Sequence, residues 1–341
     1  MTTLVTGATG FVGSHVARQL LAAGHHVRVL VRRSSNQRAL KGLAVERIEG
    51  DLLDSVSLER AVRGVHSVFH AAADYRLWTR NPQEIYAANV DGTRRLFEAA
   101  SQAGVHGIVY TSTVATIAVP SHGDTLPNEE TRATLDQMIG HYKRSKFLAE
   151  LEAFKAAAAG VPVVVVNPTA PVGPGDWKPT PTGRIIVDFL NGKMPAYVDT
   201  GLNVVGVEDV AAGHLLAAER GRIGERYILG GRNMTLKEIL GTLALIAGRR
   251  APRVRLPHAV ALAAGYADEF VARITGREPH IPVEGVKMAR HRMFVESDKA
   301  ARELGYKPAA AELALASAVR WYEENSYIGS RGRARPVAQA A

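Results

Sequence analysis

Short runs of β-branched residues alternate with longer amphipathic segments over the first 170 residues. The runs predict six strands, at Leu4–Thr6, Val27–Val31, Val45–Glu49, Val68–Ala71, Gly107–Ser112 and Val163–Val166. The segments between them predict helices at Phe11–Ala23, Ser57–Val62, Pro82–Ala103 and Met138–Ala159. Strands that alternate with helices indicate βαβ units. We therefore predict an α/β fold with a Rossmann-type, doubly wound parallel sheet.

The pattern changes after Asn167, where a loop rich in Pro, Gly and Thr covers residues 168–181. The shorter elements beyond it are predicted as a helix at Gly183–Asn191, a strand at Val204–Val207 that returns to the sheet, and a helix at Asp209–Glu219. We expect residues 1–170 and about 201–231 to form the Rossmann domain. Residues of about 171–200 and 232–328 would form a smaller, mostly C-terminal lobe, and 329–341 a disordered tail.

Composition excludes several classes of protein. The chain has 341 residues, of which 46% are hydrophobic and 22% charged, as in soluble globular proteins. It has no cysteine, which excludes disulfides, thiol catalysis and thiolate metal centres and agrees with a reducing compartment. No targeting segment or membrane-length apolar run is visible. We expect a cytoplasmic protein without a metal site. The net charge of +9 comes with no nucleic-acid-binding pattern, so we expect no nucleic acid partner.

The first candidate site is the segment from Thr6 to Gly13, which follows a predicted strand and opens a helix. Glycines there allow a tight turn and a close approach of the backbone to a pyrophosphate, while the helix N-terminus supplies N–H donors. The spacing is G-x-x-G-x-x-G, and the alternative is a simple strand–helix turn. The predicted cofactor contacts in this segment are Gly7, Thr9, Gly10, Phe11, Val12 and Gly13.

The second signal is a missing acid. Dinucleotide folds that prefer NAD place Asp or Glu about 20 residues after the glycines. No acidic residue occurs from Ser14 to Val45, and the second strand leads instead into Arg32, Arg33 and Ser34. A guanidinium suits a phosphate, which a carboxylate would repel. We therefore predict NADP(H), held by Arg32 and Ser34, with a solvated basic loop as the alternative.

Further candidates follow the third and fourth strands. Asp51 could accept a hydrogen bond from an adenine amino group, or could cap the next turn. Ala71, Ala72 and Ala73 are small enough for a cofactor to lie close to the backbone. His70 is tempting as a catalyst, but a lone histidine at a strand end is more often a packed residue, and we do not assign it a catalytic role.

Tyr142 and Lys146 lie four residues apart on the last long helix of the first domain, and therefore on one helix face. A tyrosine is a poor base at neutral pH unless a nearby ammonium lowers its pKa, which Lys146 could do. Tyr142 would then exchange a proton with the substrate oxygen. Ser112 or Thr113, at the end of the fifth strand, would hold that oxygen. The alternative is a solvated helix face.

These motifs together resemble the extended short-chain dehydrogenases/reductases of the NAD-dependent epimerase/dehydratase family. Arg32 resembles the dihydroflavonol 4-reductase-like branch, and the segments 73–78, 140–147 and 178–184 resemble the bacterial hopanoid-associated sugar epimerase group. The resemblance implies a Ser/Thr–Tyr–Lys catalytic set. It also implies that Asn89 steadies the active-site backbone, and Gly206 stands where relatives commonly carry His. Further cofactor-site residues implied by it are Leu52, Asn89, Thr111, Asn167, Pro168 and Thr169.

Three functions compete on this basis. We favour an NADP(H)-dependent oxidoreductase acting on a secondary alcohol or ketone. A nucleotide-sugar or hopanoid-linked sugar epimerase would use the same residues, and an NADP-sensing protein would not need the Tyr–Lys pair. We expect a homodimer, and we do not favour membrane contact because the apolar segment 258–271 is predicted to be a buried helix. The candidates for contact with the small-molecule substrate are Tyr75, Trp78, Trp177, Arg184 and Tyr197.

Overall fold

The computed structural model describes residues 1–117 and 125–329. The strands within these ranges are β1 (Thr2–Thr6), β2 (His26–Val31), β3 (Glu46–Glu49), β4 (Ser67–His70), β5 (Gly107–Thr111), β6 (Val163–Pro168), β7 (Ala170–Val172), β8 (Ala196–Val198), β9 (Gly201–Gly206), β10 (Arg226–Leu229), β11 (Arg232–Thr235) and β12 (Val254–Leu256). The helices are α1 (Phe11–Ala22), α2 (Ser55–Val62), α3 (Pro82–Tyr86), α4 (Gly92–Gln102), α5 (Gly140–Ala158), α6 (Pro181–Leu190), α7 (Val207–Arg220), α8 (Leu236–Ile246), α9 (His258–Thr275), α10 (Val283–Met288), α11 (Asp298–Leu304) and α12 (Ala311–Glu324).

Seven parallel strands form the main sheet in the order β3-β2-β1-β4-β5-β6-β10. This confirms the predicted doubly wound α/β fold. Strand β6 is buried over its whole length, as its run of valines predicts. The strand order reverses between β1 and β4, so their carboxyl ends flank a crevice, which is where open parallel sheets bind ligands.

Apolar clusters cover both faces of this sheet. One lies between the sheet and helices α1, α7 and α11, and includes Val16, Leu20 and Leu304. The other lies beneath α2, α4 and α5, and includes Leu58 and Leu96. A third cluster gathers side chains from β7, β9, α6, α8 and α12 away from the main sheet. Burial of these aliphatic groups, at about 25 cal/mol per Å², is the main force that holds the layers together.

The strand predicted at Val204–Val207 does not return to the main sheet, and that prediction was wrong. It is β9, which pairs in parallel with β7 and antiparallel with β11 in a separate three-stranded sheet. Strand β7 begins two residues after β6 ends, and β9 pairs with the edge of β7 instead of joining the main sheet. The seventh strand of the main sheet is β10 instead, which pairs with β6.

The helix predicted over Pro82–Ala103 is interrupted by a π-turn at Ala87–Asp91, between α3 and α4. A π-turn holds one more residue than an α-turn, which changes the direction of the side chains within it. Asn89 is buried there, although charged residues precede and follow the turn. The amphipathic pattern fits both halves of the helix and does not reveal the extra residue.

Helix α9 is not the buried helix that its apolar sequence predicts. Only Gly265 and Ala272 are buried along it. Its large side chains with more than two fifths of their surface exposed are Val260, Tyr266, Phe270, Val271 and Ile274. Burial was the reason for not favouring membrane contact, and that reason does not hold. None of the helices in the described part of the chain is long and apolar enough to cross a membrane. The predicted disordered tail lies, from Ser330 onward, outside the described residues.

Candidate active site

A cavity of about 1140 Å³ lies at the carboxyl ends of β1, β2, β4, β5 and β6. On the opposite side, residues from the loop after β7, from α6 and from α10 complete its wall. The crevice between β1 and β4 forms one end of this cavity. Candidate residues that the sequence places at strand ends therefore line one cavity.

The glycine loop forms the floor of this crevice. Gly7 has a φ of 74°, and a Cβ placed on it would lie 2.5 Å from the backbone nitrogen of Ala72. A Cβ on Gly13 would lie 2.4 Å from the carbonyl oxygen of Gly7. Helix α1 begins directly after Gly10, so the unpaired N–H groups of its first turn face the cavity end. The loop is therefore shaped for a close-lying anion such as a pyrophosphate.

Thr9, Phe11 and Val12 also line the cavity, as do all three alanines from Ala71 to Ala73. Leu52, Thr111, Pro168 and Thr169 line it too. Asp51 lies at the wall as well, and its carboxylate accepts a hydrogen bond from the backbone of Leu53 at 2.9 Å. Asp51 therefore caps the turn and faces the cavity at once, so both interpretations of this residue remain open.

The basic segment after β2 lies along the same end of the cavity. Arg32 and Ser34 line it and are exposed to it. The sequence analysis missed Arg38, which also lines the cavity and whose guanidinium lies 5.2 Å from the ring centre of Trp177. The signal for Arg38 was the same run of basic and polar residues that indicated Arg32. The guanidinium groups of Arg32 and Arg38 and the hydroxyl of Ser34 therefore line this end of the cavity. The segment that carries them contains no carboxylate.

Tyr142 and Lys146 both line the cavity from α5, opposite the end of β5. Thr113 lines the cavity as well, and its hydroxyl lowers the pKa of Tyr142 by hydrogen bonding. The ammonium of Lys146 donates to the hydroxyl of Tyr110 at 2.8 Å and to the carbonyl oxygen of Thr111 at 2.9 Å. One helix face and one strand end thus bring together a phenol, an aliphatic hydroxyl and an amine.

The structure does not show the expected lowering of the pKa of Tyr142 by Lys146. Burial raises the pKa of Tyr142, and only Thr113 opposes that rise. Lys146 has its ammonium turned to Tyr110 and Thr111, and its own burial lowers its pKa to about 7, against the opposing pull of Glu150. Tyr142 is therefore a protonated phenol at neutral pH, poised to donate a proton.

The two hydroxyls that the sequence left open both line the cavity but have different partners. Ser112 is buried and donates its hydroxyl to the carboxylate of Glu150. Glu150 follows Lys146 by four residues and was not predicted, although that spacing on one helix face was its signal. The same carboxylate accepts from Thr116 and Asn167 at 2.9 Å and from Arg226 at 3.0 Å. Ser112 is thus a donor within a buried network, whereas the hydroxyl of Thr113 accepts from the backbone of Ala115 at 3.2 Å and lowers the pKa of Tyr142.

Two predicted cofactor contacts do not line the cavity. Asn89 is fully buried and bonds both backbone groups of Asp74, at 2.7 and 2.8 Å, and the hydroxyl of Ser145 at 2.9 Å. Asn167 is fully buried and its side-chain amide reaches Thr113 and Glu150. Neither side chain therefore lines the cavity as the prediction requires: the Asn89 amide is used on both sides, whereas the Asn167 amide donates through its nitrogen and its Oδ1 has no partner among the described residues.

His70 is a packed residue, as expected. It is fully buried, and its two ring nitrogens lie 2.7 Å and 2.9 Å from the hydroxyls of Thr6 and Thr93. Burial lowers its pKa to about 3, and the charge of Lys146 adds to this effect. A permanently neutral imidazole with both nitrogens bonded has no proton to exchange with a substrate.

The substrate end of the cavity was predicted least well. Of the five candidates, Tyr75 and Trp177 line it, and Trp177 lies beside Arg38. Trp78, Arg184 and Tyr197 are not among the lining residues, and Tyr197 packs against the third apolar cluster. The residues that line this end without having been predicted include Leu77, Lys143, Asp176, Lys178, Ile185, Leu202, Leu236, Glu278, Met288, His291 and Met293.

Comparisons with known proteins identify the family of this chain. The model of the NAD dependent epimerase/dehydratase family matches residues 3–230. A putative dihydroflavonol 4-reductase from Synechocystis sp. is 44% identical over 95% of both chains. Among solved structures, gox2253 is 46% identical with a TM-score of 0.85, covering 96% of this chain and 99% of that one. A nucleoside-diphosphate-sugar epimerase from Pseudomonas aeruginosa, PA4631, is 31% identical with a TM-score of 0.79, over 96% and 99% of the two chains.

Proposed function

Because this chain belongs to the NAD dependent epimerase/dehydratase family, and is thus an NAD(P)-dependent enzyme, we propose that it is an NADP(H)-dependent carbonyl reductase. Its reaction would be hydride transfer between the nicotinamide and a secondary alcohol or ketone. The observation that carries the proposal is that Thr113, Tyr142 and Lys146 line the same cavity as the glycine loop.

The residues at the crevice fit a dinucleotide. Gly7 and Gly13 let the loop pack closely against Ala72 and against itself, which brings its backbone and the N-terminus of α1 to the cavity where a pyrophosphate would lie. Small residues from Ala71 to Ala73 leave room along the β4 end. When bound, the cofactor supplies or accepts the hydride; all other chemistry must come from the side chains of this chain.

The proposed role of Thr113 and Tyr142 is to hold the substrate oxygen between two hydroxyl donors. As negative charge develops on that oxygen, Tyr142 donates its proton, and the raised pKa of the buried phenol keeps that proton available at neutral pH. Lys146, held by Tyr110 and Thr111, lies on the same helix face. Its pKa of about 7 lets it return a proton from solvent to Tyr142 without a large energetic cost.

The preference for NADP(H) rests on charge. Arg32 and Arg38 line the end of the cavity beyond the glycine loop, and Ser34 lies between them. A phosphate on the adenosine ribose would gain charge-assisted hydrogen bonds from this segment. An NAD-specific site would instead require a carboxylate for the ribose hydroxyls, and residues 14–45 contain none.

An epimerase is the second candidate, favoured by one observation. The chain is similar over nearly its whole length to a nucleoside-diphosphate-sugar epimerase structure. An epimerase would use the same hydroxyls but return the hydride to the other face of its own intermediate. The basic segment weighs against it, because a phosphate-reading site for exchangeable NADPH is suited to net reduction.

A carbonyl screen with purified enzyme tests the proposal. Ketones and aldehydes are offered with NADPH or NADH, and cofactor absorbance and product are measured together. We expect about one NADPH oxidised per product molecule, with NADPH preferred. Product that accumulates without net cofactor oxidation would favour the epimerase. The Tyr142→Phe enzyme is the control that separates catalysis at this site from background reduction.

A further inference from the structure

Lys143 is a buried, cavity-lining lysine that the proposed mechanism does not use. It follows Tyr142 directly on α5, and only 6% of its surface is exposed. Lys146, one turn further along, has two hydrogen-bond acceptors for its ammonium. Lys143 has neither an ion pair nor a hydrogen bond with any residue in 1–117 or 125–329.

Most of the Lys143 side chain is buried, but its ammonium is open to the cavity and can be hydrated there. Burial lowers the pKa of Lys143 to about 8, which still leaves the amine mainly protonated at neutral pH. A charged amine that opens into a ligand cavity, with no partner among the described residues, is available to an anionic group of the ligand.

The surroundings of Lys143 favour an anion. His291 lines the same cavity, and burial together with the charges of Arg290 and Lys143 lowers its pKa. Two of the carboxylates at this end are engaged, since Asp74 is paired with Arg76 and Asp176 accepts from Thr180 and Tyr322. Glu278 also lines the cavity and is exposed, so it can remain hydrated.

The remaining wall of this end is mainly apolar. It includes the side chains of Leu202, Leu236, Met288 and Met293. An apolar wall with one unpaired ammonium fits a ligand that is mostly hydrocarbon and carries one anionic group.

We propose that Lys143 binds a carboxylate of the substrate, and that the enzyme therefore acts on carbonyl compounds in which an apolar skeleton carries an acidic group near the reacting carbon. This inference rests on the proposed reductase function and names its substrate class. Lys143 and Tyr142 are consecutive on α5 and both line the cavity, so one bound molecule can contact both side chains. One ammonium matches the single charge of a carboxylate better than the double charge of a phosphate monoester.

Matched substrates test this assignment. Phenylpyruvate and its methyl ester are offered with NADPH to the wild-type enzyme and to Lys143→Met, which keeps most of the side-chain length but not the charge. We expect KM for the acid to rise about tenfold or more in Lys143→Met, with KM for the ester nearly unchanged. Lys143→Arg should restore much of the discrimination. Arg144→Met is the control, because Arg144 is exposed and does not line the cavity.

Binding without turnover separates this assignment from the proposed function. Phenylacetate and phenylacetamide are titrated by calorimetry onto each enzyme loaded with NADP⁺, and phenyl phosphate tests the phosphate alternative. We expect the carboxylate alone to lose about tenfold or more in affinity in Lys143→Met. If this occurs but no carbonyl is reduced, the anion site stands and the reductase function is contradicted.

Three results would overturn the assignment. The acid and the ester could respond equally to Lys143→Met, or phenyl phosphate could bind more tightly than phenylacetate through Lys143. Thermal unfolding supplies the third. Lys143→Met should not lower the melting temperature, because the charge that it removes has no partner among the described residues. A large drop in melting temperature that Lys143→Arg reverses would instead give Lys143 a structural partner within the chain.

Discussion

The cofactor end of the cavity is formed largely by one continuous segment of the chain, and the substrate end by several segments that are far apart in sequence. Much of the cofactor end comes from residues 6–52, where a strand, a glycine turn and a helix follow each other directly. The substrate end comes from segments around residues 75, 143, 181, 202, 236 and 288, which meet only in the folded chain. The first end is determined largely by backbone geometry, and the second by side chains on separate elements.

This difference explains how much could be predicted. Gly7 is required by its positive φ and Gly13 by a contact within its own loop, and Tyr142 and Lys146 lie one helix period apart, so spacing alone revealed them. Trp78 and Tyr197 have suitable chemistry, but tertiary packing decides whether a side chain reaches the cavity, and the sequence does not encode that locally. Glu150 was missed for the same reason, since its partners come from β5, β6 and β10.

The errors in the fold have a similar origin. The pattern of β9 is that of a buried strand, but which edge it joins depends on β7 and β11, two short neighbours. The π-turn around Asn89 adds one residue to a helix without changing its apolar pattern. Local periodicity predicts that an element exists, and says less about its neighbours.

The largest effect is expected where the two ends meet, at Tyr142. Tyr142→Phe keeps the ring and removes the proton donor, so kcat should fall by about 10²–10⁴-fold. NADPH affinity, measured by fluorescence titration, should change little, because the cofactor end is built elsewhere. Tyr86→Phe is the matched control: Tyr86 contacts His141 near the start of α5 but does not line the cavity. Near-normal turnover in Tyr142→Phe would contradict the proposed mechanism.

Thr113 and Ser112 offer a sharper comparison of catalysis and structure. Thr113→Val should lower kcat/KM by about 100-fold, as expected for the loss of one donor to a developing oxyanion. It should lower the melting temperature less than Ser112→Ala does, because the bond it loses is a single cap to the backbone of Ala115. Ser112→Ala should show the reverse, because it removes one partner of the buried Glu150 and costs about 1–3 kcal/mol of stability. Kinetics and thermal unfolding of both variants are the measurement. An exchange of these two patterns would make Ser112 the reacting hydroxyl.

Arg32 tests the cofactor end alone. Arg32→Asp replaces a phosphate partner by a repelling carboxylate, so the ratio of NADPH to NADH affinity should fall by about tenfold or more. Arg33→Asp introduces the same charge one residue away, on a side chain that does not line the cavity. Equal shifts in the two variants would show a general charge effect, and no shift in either would put the phosphate site elsewhere.

The smallest effects are expected at the substrate end, where many side chains share the contact. Tyr75→Ala should raise KM for the best substrate by about threefold to tenfold through lost apolar contact, with unchanged NADPH affinity. Trp78→Ala should leave KM nearly unchanged, because Trp78 does not line the cavity. Steady-state kinetics of both variants tests this difference. A larger rise in KM for Trp78→Ala than for Tyr75→Ala would contradict the assignment of Tyr75, and not Trp78, to the cavity wall.

The central claim is net hydride transfer through the Thr113–Tyr142 site, and one isotope measurement tests it directly. The enzyme is incubated with its best carbonyl substrate and NADPH deuterated at the transferable position of the nicotinamide, and the product is analysed by mass spectrometry. A reductase incorporates one deuterium into each product molecule, with equal loss of NADPH and no product from Tyr142→Phe. Product that carries no deuterium while the labelled NADPH remains unspent would contradict the account.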